Sequence, residues 1–433
     1  MSIRTSAKAG LSRLTALIEA GGPEIAVVRN ELQFADLTGK AVTERFGSPL
    51  YLYSERILRR RCQEVANFLS YRPFVANYSC KANTNVALLK IAHSEGLHAD
   101  AMSPGEIMLL REAGFATNQI FYVGNNVDDA ELLYAITAGV TISVDSLAQL
   151  ERLGRLNPGG KVAVRINPGI GDGHHQKVVT GGADSKFGVY YTQVDEIKRI
   201  ANQYLLQIVG LNQHIGSNFL NGETYLASVE RMLEIALKFD DLDFIDFGGG
   251  FGIPYTSEQS RLDITSLGDQ VSEMLERWVT QYGKRITAQI EPGRYVVAEC
   301  GVLLITVHAL KETPERIFIG TDGGFNVLVR PTMYDAYHEI VNTRLAQSPP
   351  EIEAYITGNI CESGDLLAQR RPMPKPKEQD VLAVLDAGAY GFSMSSNYNA
   401  RLRPAEVLLT LNNELQLIRE RDTLEDLLRH QIY

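Results

Sequence analysis

From about residue 50 to residue 290, eight short β-rich apolar runs alternate with segments of helical hydrophobic spacing, and this alternation constrains the chain more than any other feature. The runs are Phe74–Ser79, Leu97–Ala101, Gln119–Val123, Val140–Val144, Lys161–Ile166, Gln207–Gln213, Leu242–Phe247 and Arg285–Ile290. Between them, Asn85–Ser94, Pro104–Ala113, Asp128–Ala138, Ser146–Gly154, Thr224–Leu237 and Leu267–Tyr282 carry apolar residues at helical spacing. Ser103-Pro104, Gly114, Gly139, Asp145 and Asn157-Pro158-Gly159-Gly160 punctuate the junctions. Eight βα units in about 240 residues is the count and length of a (β/α)8, TIM-like barrel. An open doubly wound sheet is the alternative, but the segment after the first run lacks the GxGxxG that such a sheet uses for dinucleotides.

Beyond about residue 300 the texture changes to strands broken by turns: Val302–Leu310, Arg316–Thr321, Ala354–Thr357, Val381–Leu385 and Val407–Ile418. In the last run, Leu411-Asn412-Asn413-Glu414 reads as a hairpin turn, and the Pro-rich stretch Arg371–Lys377 reads as a loop. The expected fold is therefore α/β: a barrel over 50–300 and a mainly β C-terminal domain over 301–433. Residues 1–49 form a segment contributing to the β domain, since Ile25–Val28 and Leu50–Tyr53 also look β-like. The first 22 residues hold too short an apolar block for a signal peptide and read as a short surface helix, with an organellar transit segment as the alternative.

Composition narrows the function. The chain has 433 residues, with 42 Lys plus Arg against 52 Asp plus Glu, a net charge of −10. That balance argues against nucleic-acid binding and against docking on an anionic membrane. No apolar run approaches the roughly 20 residues of a membrane span. Four cysteines, Cys62, Cys80, Cys300 and Cys361, show no CxxC spacing, so neither a zinc site nor a disulfide framework is expected and a cytoplasmic location fits. His174-His175 lies in a Gly-rich loop without a completing carboxylate or thiol, so no metal is expected there.

Barrel active sites lie at the C-terminal ends of the strands. Four features fall at that rim: Lys81 after the first run, His214-Ile215-Gly216-Ser217 after the sixth, Gly248-Gly249-Gly250 after the seventh and Glu291-Pro292-Gly293-Arg294 after the eighth. The loops after strands seven and eight are the usual phosphate site of these barrels. Alone, the glycine run reads equally well as a tight turn, Lys81 as a surface lysine and His214 as a core histidine. Together, a strand-end lysine facing a glycine-lined anion cradle is the arrangement of a Schiff-base lysine holding pyridoxal phosphate. Of the cysteines, Cys62 and Cys300 read as buried small hydrophobes, and Cys80 reads either way, adjacent to Lys81 in sequence but turned by strand alternation to the opposite face.

The motifs carry a resemblance. Tyr78–Asn83, Asp184-Ser185-Lys186-Phe187-Gly188, His214–Ser217, Gly248–Gly250, Glu291–Arg294, Arg330-Pro331, Met333–His338, Cys361-Glu362-Ser363-Gly364-Asp365 and Ala389–Asn399 occur in order. In them the chain resembles the pyridoxal-phosphate-dependent decarboxylases of the alanine-racemase-like fold (fold type III), and within that family most closely the branch acting on meso-diaminopimelate. The resemblance implies that Lys81 holds the cofactor aldehyde, Glu291 pairs with the pyridine nitrogen and His214 stacks on the ring. Ser217, Gly249 and Gly250 would bind phosphate, with Gly293 and Arg294 as further cofactor contacts, and Tyr390 would reach phosphate or substrate. Cys361 would be the acid that reprotonates the product carbon. In the family it comes from the neighbouring subunit, so a homodimer with shared active sites is implied. Alanine racemases place an Arg against the pyridine nitrogen; Glu291 argues for decarboxylation instead.

Substrate choice follows from charge. The far end of diaminopimelate is itself an amino acid, and binding it needs cations and an anion together. Arg294, Arg330, Tyr334 and Glu362 match the family's distal-end ligands, with Tyr390 also on the substrate side; related ornithine decarboxylases carry Asp in place of Glu362. Charged hydrogen bonds of this kind contribute roughly 1.5–3 kcal/mol each. The expected activity is release of CO2 from the diamino acid to leave lysine, the last step of lysine biosynthesis. A paralogous decarboxylase acting on another carboxylated amino acid and a non-catalytic cofactor-binding relative are the alternatives.

Overall fold

The computed structural model describes residues 13–171, 181–182 and 185–433. They form two compact units, one made of the described residues within 61–253 and 261–296, the other of residues 13–60, 254–260 and 297–433.

The first unit is a closed parallel barrel. Its strands are β1 (Phe74–Ser79), β2 (His98–Ala101), β3 (Ile120–Tyr122), β4 (Thr141–Val144), β5 (Lys161–Asn167), β6 (Gln207–Asn212), β7 (Phe244–Asp246) and β8 (Thr287–Ile290). Neighbours pair in parallel from β1 round to β8, and β8 closes on β1 through Ala288↔Phe74, Gln289↔Val75 and Ile290↔Ala76. Closure excludes the open doubly wound sheet. All eight strands lie within two residues of their sequence positions, because runs buried on both faces are mostly apolar.

The helices start where the sequence supplies caps. Asn85, Ser103, Asp128, Ser146 and Asp263 each accept a hydrogen bond from a backbone N–H of the first turn. The helix Val194–Tyr204 lacks both signals: Gln193 makes no side-chain cap, and the chain leaves through Leu205 at φ +58° rather than through a glycine. Its apolar face is nonetheless regular, with Val194, Ile197, Ile200 and Ala201 buried. At the N-terminal end of the barrel, Phe121 and Phe244 meet edge to face at 5.5 Å. Phe244 fills the space beside Gly210, where a Cβ would lie 2.2 Å from the ring. Higher in the barrel the interior turns polar: Asn77 donates to Asp246 and Gln289, and the Ser143 hydroxyl donates to Asn212 at 2.5 Å.

The second unit is mainly β. Its sheet runs in the order Leu366–Met373, Ile352–Thr357, Ile317–Thr321, Gly301–Glu312, Leu50–Ser54, Ala405–Leu409 and Leu415–Arg419. Leu50–Ser54, whose β-like sequence stands at the expected barrel boundary of residue 50, belongs to this sheet, pairing with Gly301–Leu304 on one side and Ala405–Leu409 on the other. The expected hairpin joins the last two strands. Arg371–Met373, read as loop, continues a strand paired with Ile352–Ala354, its Pro372 lying beyond the register break at Ala354/Ile356. The N-terminal helix over residues 13–21 buries one face, with Arg13, Leu14 and Leu17 buried, and exposes Thr15 and Glu19 on the other. Among the described residues no helix is long and apolar enough to cross a membrane.

Candidate active site

The loops after β1, β6, β7 and β8 at the C-terminal rim of the barrel are held by local hydrogen bonds and by bonds to one another. β1 ends at Ser79, and Cys80–Ala82 form one 3-10 turn that carries Lys81. The turn is tied at both ends: the Tyr78 hydroxyl donates to the Asn83 carbonyl at 3.0 Å, and Asn83 Oδ1 accepts from Asn85 N–H at 3.0 Å. Because Cys80 sits in this turn, strand alternation does not govern it. Its thiol is buried beside Glu106 and Asp100, and desolvation, reinforced by those carboxylates, pushes its pKa well up. Ser79 N–H donates to Pro292 O at 3.1 Å, which joins the Lys81 turn to the Glu291–Arg294 loop. Gly293 allows the approach: a Cβ there would lie 3.0 Å from the Ser79 Cβ.

The glycine run is required by backbone packing. A Cβ on Gly248 would lie 2.1 Å from Gln213 O, on Gly249 1.9 Å from Glu291 O, and on Gly250 2.6 Å from Gly216 O. The loops after β6, β7 and β8 therefore stack main chain on main chain at this point, bringing His214, Ser217, Glu291 and Arg294 to one place. Asp246 Oδ1 accepts from Gly248 N–H at 2.7 Å, and His214 Nδ1 accepts from Gly249 N–H at 3.2 Å. Arg294 Nη2 donates to Ser217 Oγ at 3.1 Å. No helix follows the glycines directly; the next begins at Ile264, so the anion cradle here consists of turn backbone and side chains.

The electrostatics concentrate at this rim. Glu291 is 5% exposed, and its Oε1 is buried without a hydrogen-bond partner among the described residues. Desolvation and then the nearby Asp246 charge push its pKa up to about 8, against the pull of Lys81 and Arg165. Burial likewise holds Asp100 well above the ordinary carboxylate range, with Glu291 adding to the shift and Lys81 opposing it. His214 is pushed well down by desolvation, then by the positive charges of Lys81 and Arg165. Lys81, His214, Glu291, Asp100, Asp246 and Arg165 thus form one mutually interacting group. Asp100, Arg165 and Asp246 escaped the sequence reading. A charged residue inside an otherwise apolar barrel strand was the available signal, since such groups are buried only with partners.

The remaining expected residues lie in the β unit. Arg330 is 2% exposed; its Nη1 lies 2.7 Å from His338 Nε2, and its guanidinium stands 4.7 Å from the Tyr255 ring centre. Tyr334 ends the same short helix and is half-buried. Cys361 is an exposed free thiol and Glu362 is exposed, accepting from the Tyr398 hydroxyl at 2.6 Å. Asp365 braces their loop by accepting from Ile360 N–H at 2.8 Å and Phe325 N–H at 2.7 Å. Tyr390 is half-buried with φ +54°. His174, His175 and Asp184 lie outside the described residues.

Comparison with known proteins accords with this geometry. Residues 55–298 match the family described as pyridoxal-dependent decarboxylase, pyridoxal binding domain. The diaminopimelate decarboxylase of Methanothermobacter thermautotrophicus is 43% identical over 399 residues, covering 90% of this chain and 93% of the relative. That of Archaeoglobus fulgidus is 36% identical over 405 residues, covering 91% and 96%. The crystal structure of the M. jannaschii diaminopimelate decarboxylase in complex with L-lysine superposes with a TM-score of 0.86 at 29% identity, covering 95% of this chain and 98% of that one. Barrel, β unit and rim residues agree with one assignment: the chain belongs to the pyridoxal-dependent decarboxylases, in the diaminopimelate decarboxylase family.

Proposed function

We propose that this protein decarboxylates meso-2,6-diaminopimelate to L-lysine and CO2 with pyridoxal phosphate. The observation that carries the cofactor assignment is Glu291, whose buried Oε1 has no hydrogen-bond partner among the described residues and whose environment favours sharing a proton. A protonated ring nitrogen supplies the missing donor, and no apolar ligand would. When bound, pyridoxal phosphate supplies an electron sink for the pair left behind by departing CO2.

The chain's own residues have separable tasks. Lys81 Nζ would hold the cofactor aldehyde. Ser217 Oγ, backed by Arg294, and the backbone at Gly249 and Gly250 would hold phosphate, with Gly293 admitting the loop. Glu291 would keep the ring-nitrogen proton in place. His214, neutral because burial and two cations disfavour its charge, would cover the ring face without repelling a protonated ring. Arg330, Tyr334 and Glu362, together with Arg294 and Tyr390, would read the distal amino-acid end of the substrate. A site built for those charges rejects a diamino acid lacking the far carboxylate by about 10⁴–10⁵.

Cys361 Sγ would deliver the proton to the carbon that loses CO2. Its exposure on the β unit supports donation into a neighbouring subunit, and hence a homodimer with shared sites. An exposed free thiol also fits a cytoplasmic, reducing location.

Incubating the protein with pyridoxal phosphate and meso-diaminopimelate should yield lysine stoichiometric with CO2, with ornithine and lysine turned over far more slowly. Equal turnover of ornithine would remove the substrate assignment. Mixing Lys81→Ala with Cys361→Ala subunits, each inactive alone, should restore about a quarter of wild-type activity if sites are shared across a two-fold interface; no restoration would rule sharing out.

A further inference from the structure

Arg13 opens the described part of the N-terminal helix, and its guanidinium is 6% exposed. Nε donates to Asp386 Oδ2 at 3.1 Å, and Nη2 donates to Asp386 Oδ1 at 2.8 Å and to Glu299 Oε1 at 3.1 Å. One planar fork therefore ties the helix to two separate stretches of backbone. Those stretches are also bonded to each other: Gly388 N–H donates to Ala298 O at 3.0 Å and Ala387 N–H to Gly301 O at 2.8 Å. The packing is close enough that a Cβ on Gly388 would lie 1.9 Å from Val297 O.

Asp386 begins the run that ends at Tyr390, and both ends have left-handed backbone, φ +56° and +54°. A tyrosine in that region is strained and persists where its surroundings over-determine it. The bidentate fork fixes the Asp386 carboxylate in plane, a constraint that a lysine's single point charge does not supply. Without Arg13, the carboxylates of Asp386 and Glu299 would face one another in a buried site and drive the two stretches apart.

We propose that Arg13 is a positioning residue for Tyr390, holding the Asp386–Tyr390 run in its strained conformation from an N-terminal helix that carries none of the family's motifs. The consequence for catalysis rests on the role given to Tyr390 above; the clamp itself does not.

The test uses Arg13→Ala together with Arg13→Lys, which keeps a cation beside the two carboxylates, and Asp386→Asn, which removes one of them. In the apo protein, hydrogen exchange of a peptide spanning residues 386–391 should speed up at least about tenfold in each soluble variant, while barrel peptides keep wild-type rates. In the holoenzyme, kcat/KM should fall about ten- to a hundredfold. The same substitution added to Tyr390→Phe should cost much less than it does alone. Additive losses, or exchange that rises uniformly across the chain with a lower Tm, would overturn the proposal. A wild-type protein that releases no CO2 would instead defeat the functional reading, and hydrogen exchange would still decide the clamp.

Discussion

Gly249 donates its backbone N–H to His214 Nδ1 at 3.2 Å, so Nδ1 is an acceptor and carries no proton. The bond selects the neutral ring that desolvation, Lys81 and Arg165 already favour. Its sign can be worked through. The unfolded histidine takes a proton below its ordinary value of 6.5, whereas the folded one resists, so the unfolded state binds more protons there. The contribution to stability is therefore complete above about pH 7 and is lost as pH falls below 6.5. In the apo protein, the Tm difference between wild type and His214→Asn should move in favour of wild type as pH rises from 5 to 7, measured by calorimetry at matched ionic strength. A pH-independent difference would mean His214 titrates normally.

Glu291 has the opposite dependence. Its folded pKa lies above its ordinary 4.5, so the unfolded state gives up its proton first and stability falls as pH rises from 4.5 through the folded value of about 8. Glu291→Gln carries no such penalty. The apo variant should match or exceed wild-type Tm at pH 8–9 and lose that advantage at pH 5. Its holoenzyme should nevertheless release CO2 about a hundredfold more slowly or worse, because an amide cannot hold the ring-nitrogen proton.

The glycine run should tolerate no side chain. Gly249→Ala puts a Cβ 1.9 Å from Glu291 O, a backbone atom that moves only with its loop. A loss of about 2–4 kcal/mol is expected, with weakened retention of pyridoxal phosphate on dialysis. Gly105→Ala serves as the control: the nearest atom to its Cβ is Ser103 Oγ at 3.7 Å, and the position is helical, so stability should be unchanged or slightly higher.

Asp365 should matter through two backbone donors. Asp365→Ala leaves the N–H groups of Phe325 and Ile360 without their acceptor in a site where Asp365 is 3% exposed. About 2–4 kcal/mol should be lost, and about half of that restored in Asp365→Asn, whose single oxygen can accept one of the two. Activity should follow stability of the Cys361–Glu362 loop, so the Asn variant should lie between Ala and wild type in kcat.

Much of this molecule was legible in the sequence. A parallel strand buried on both faces must be apolar along its length, and a helix must begin at a cap, so period and punctuation located Phe74–Ser79 through Thr287–Ile290 and most of the helices between them. The rim residues Lys81, His214, Gly249 and Glu291 were legible because strand ends are where a barrel presents chemistry. The helix Val194–Tyr204 was harder to see, since neither a cap nor a glycine marks its ends. The pairing partner of Leu50–Ser54 and the strand character of Arg371–Met373 were decided by neighbours about 250 and 20 residues away, which no local pattern encodes. Tertiary structure alone decided the charge states. Asp100, Arg165 and Asp246 look like ordinary polar residues until the barrel closes around them. Arg13 looks like a surface cation until Glu299 and Asp386 arrive from positions almost 300 and more than 370 residues further on. Local sequence sets which elements form, because backbone and cap energies are local; which charges meet out of water depends on distances that exist only once the chain has closed on itself.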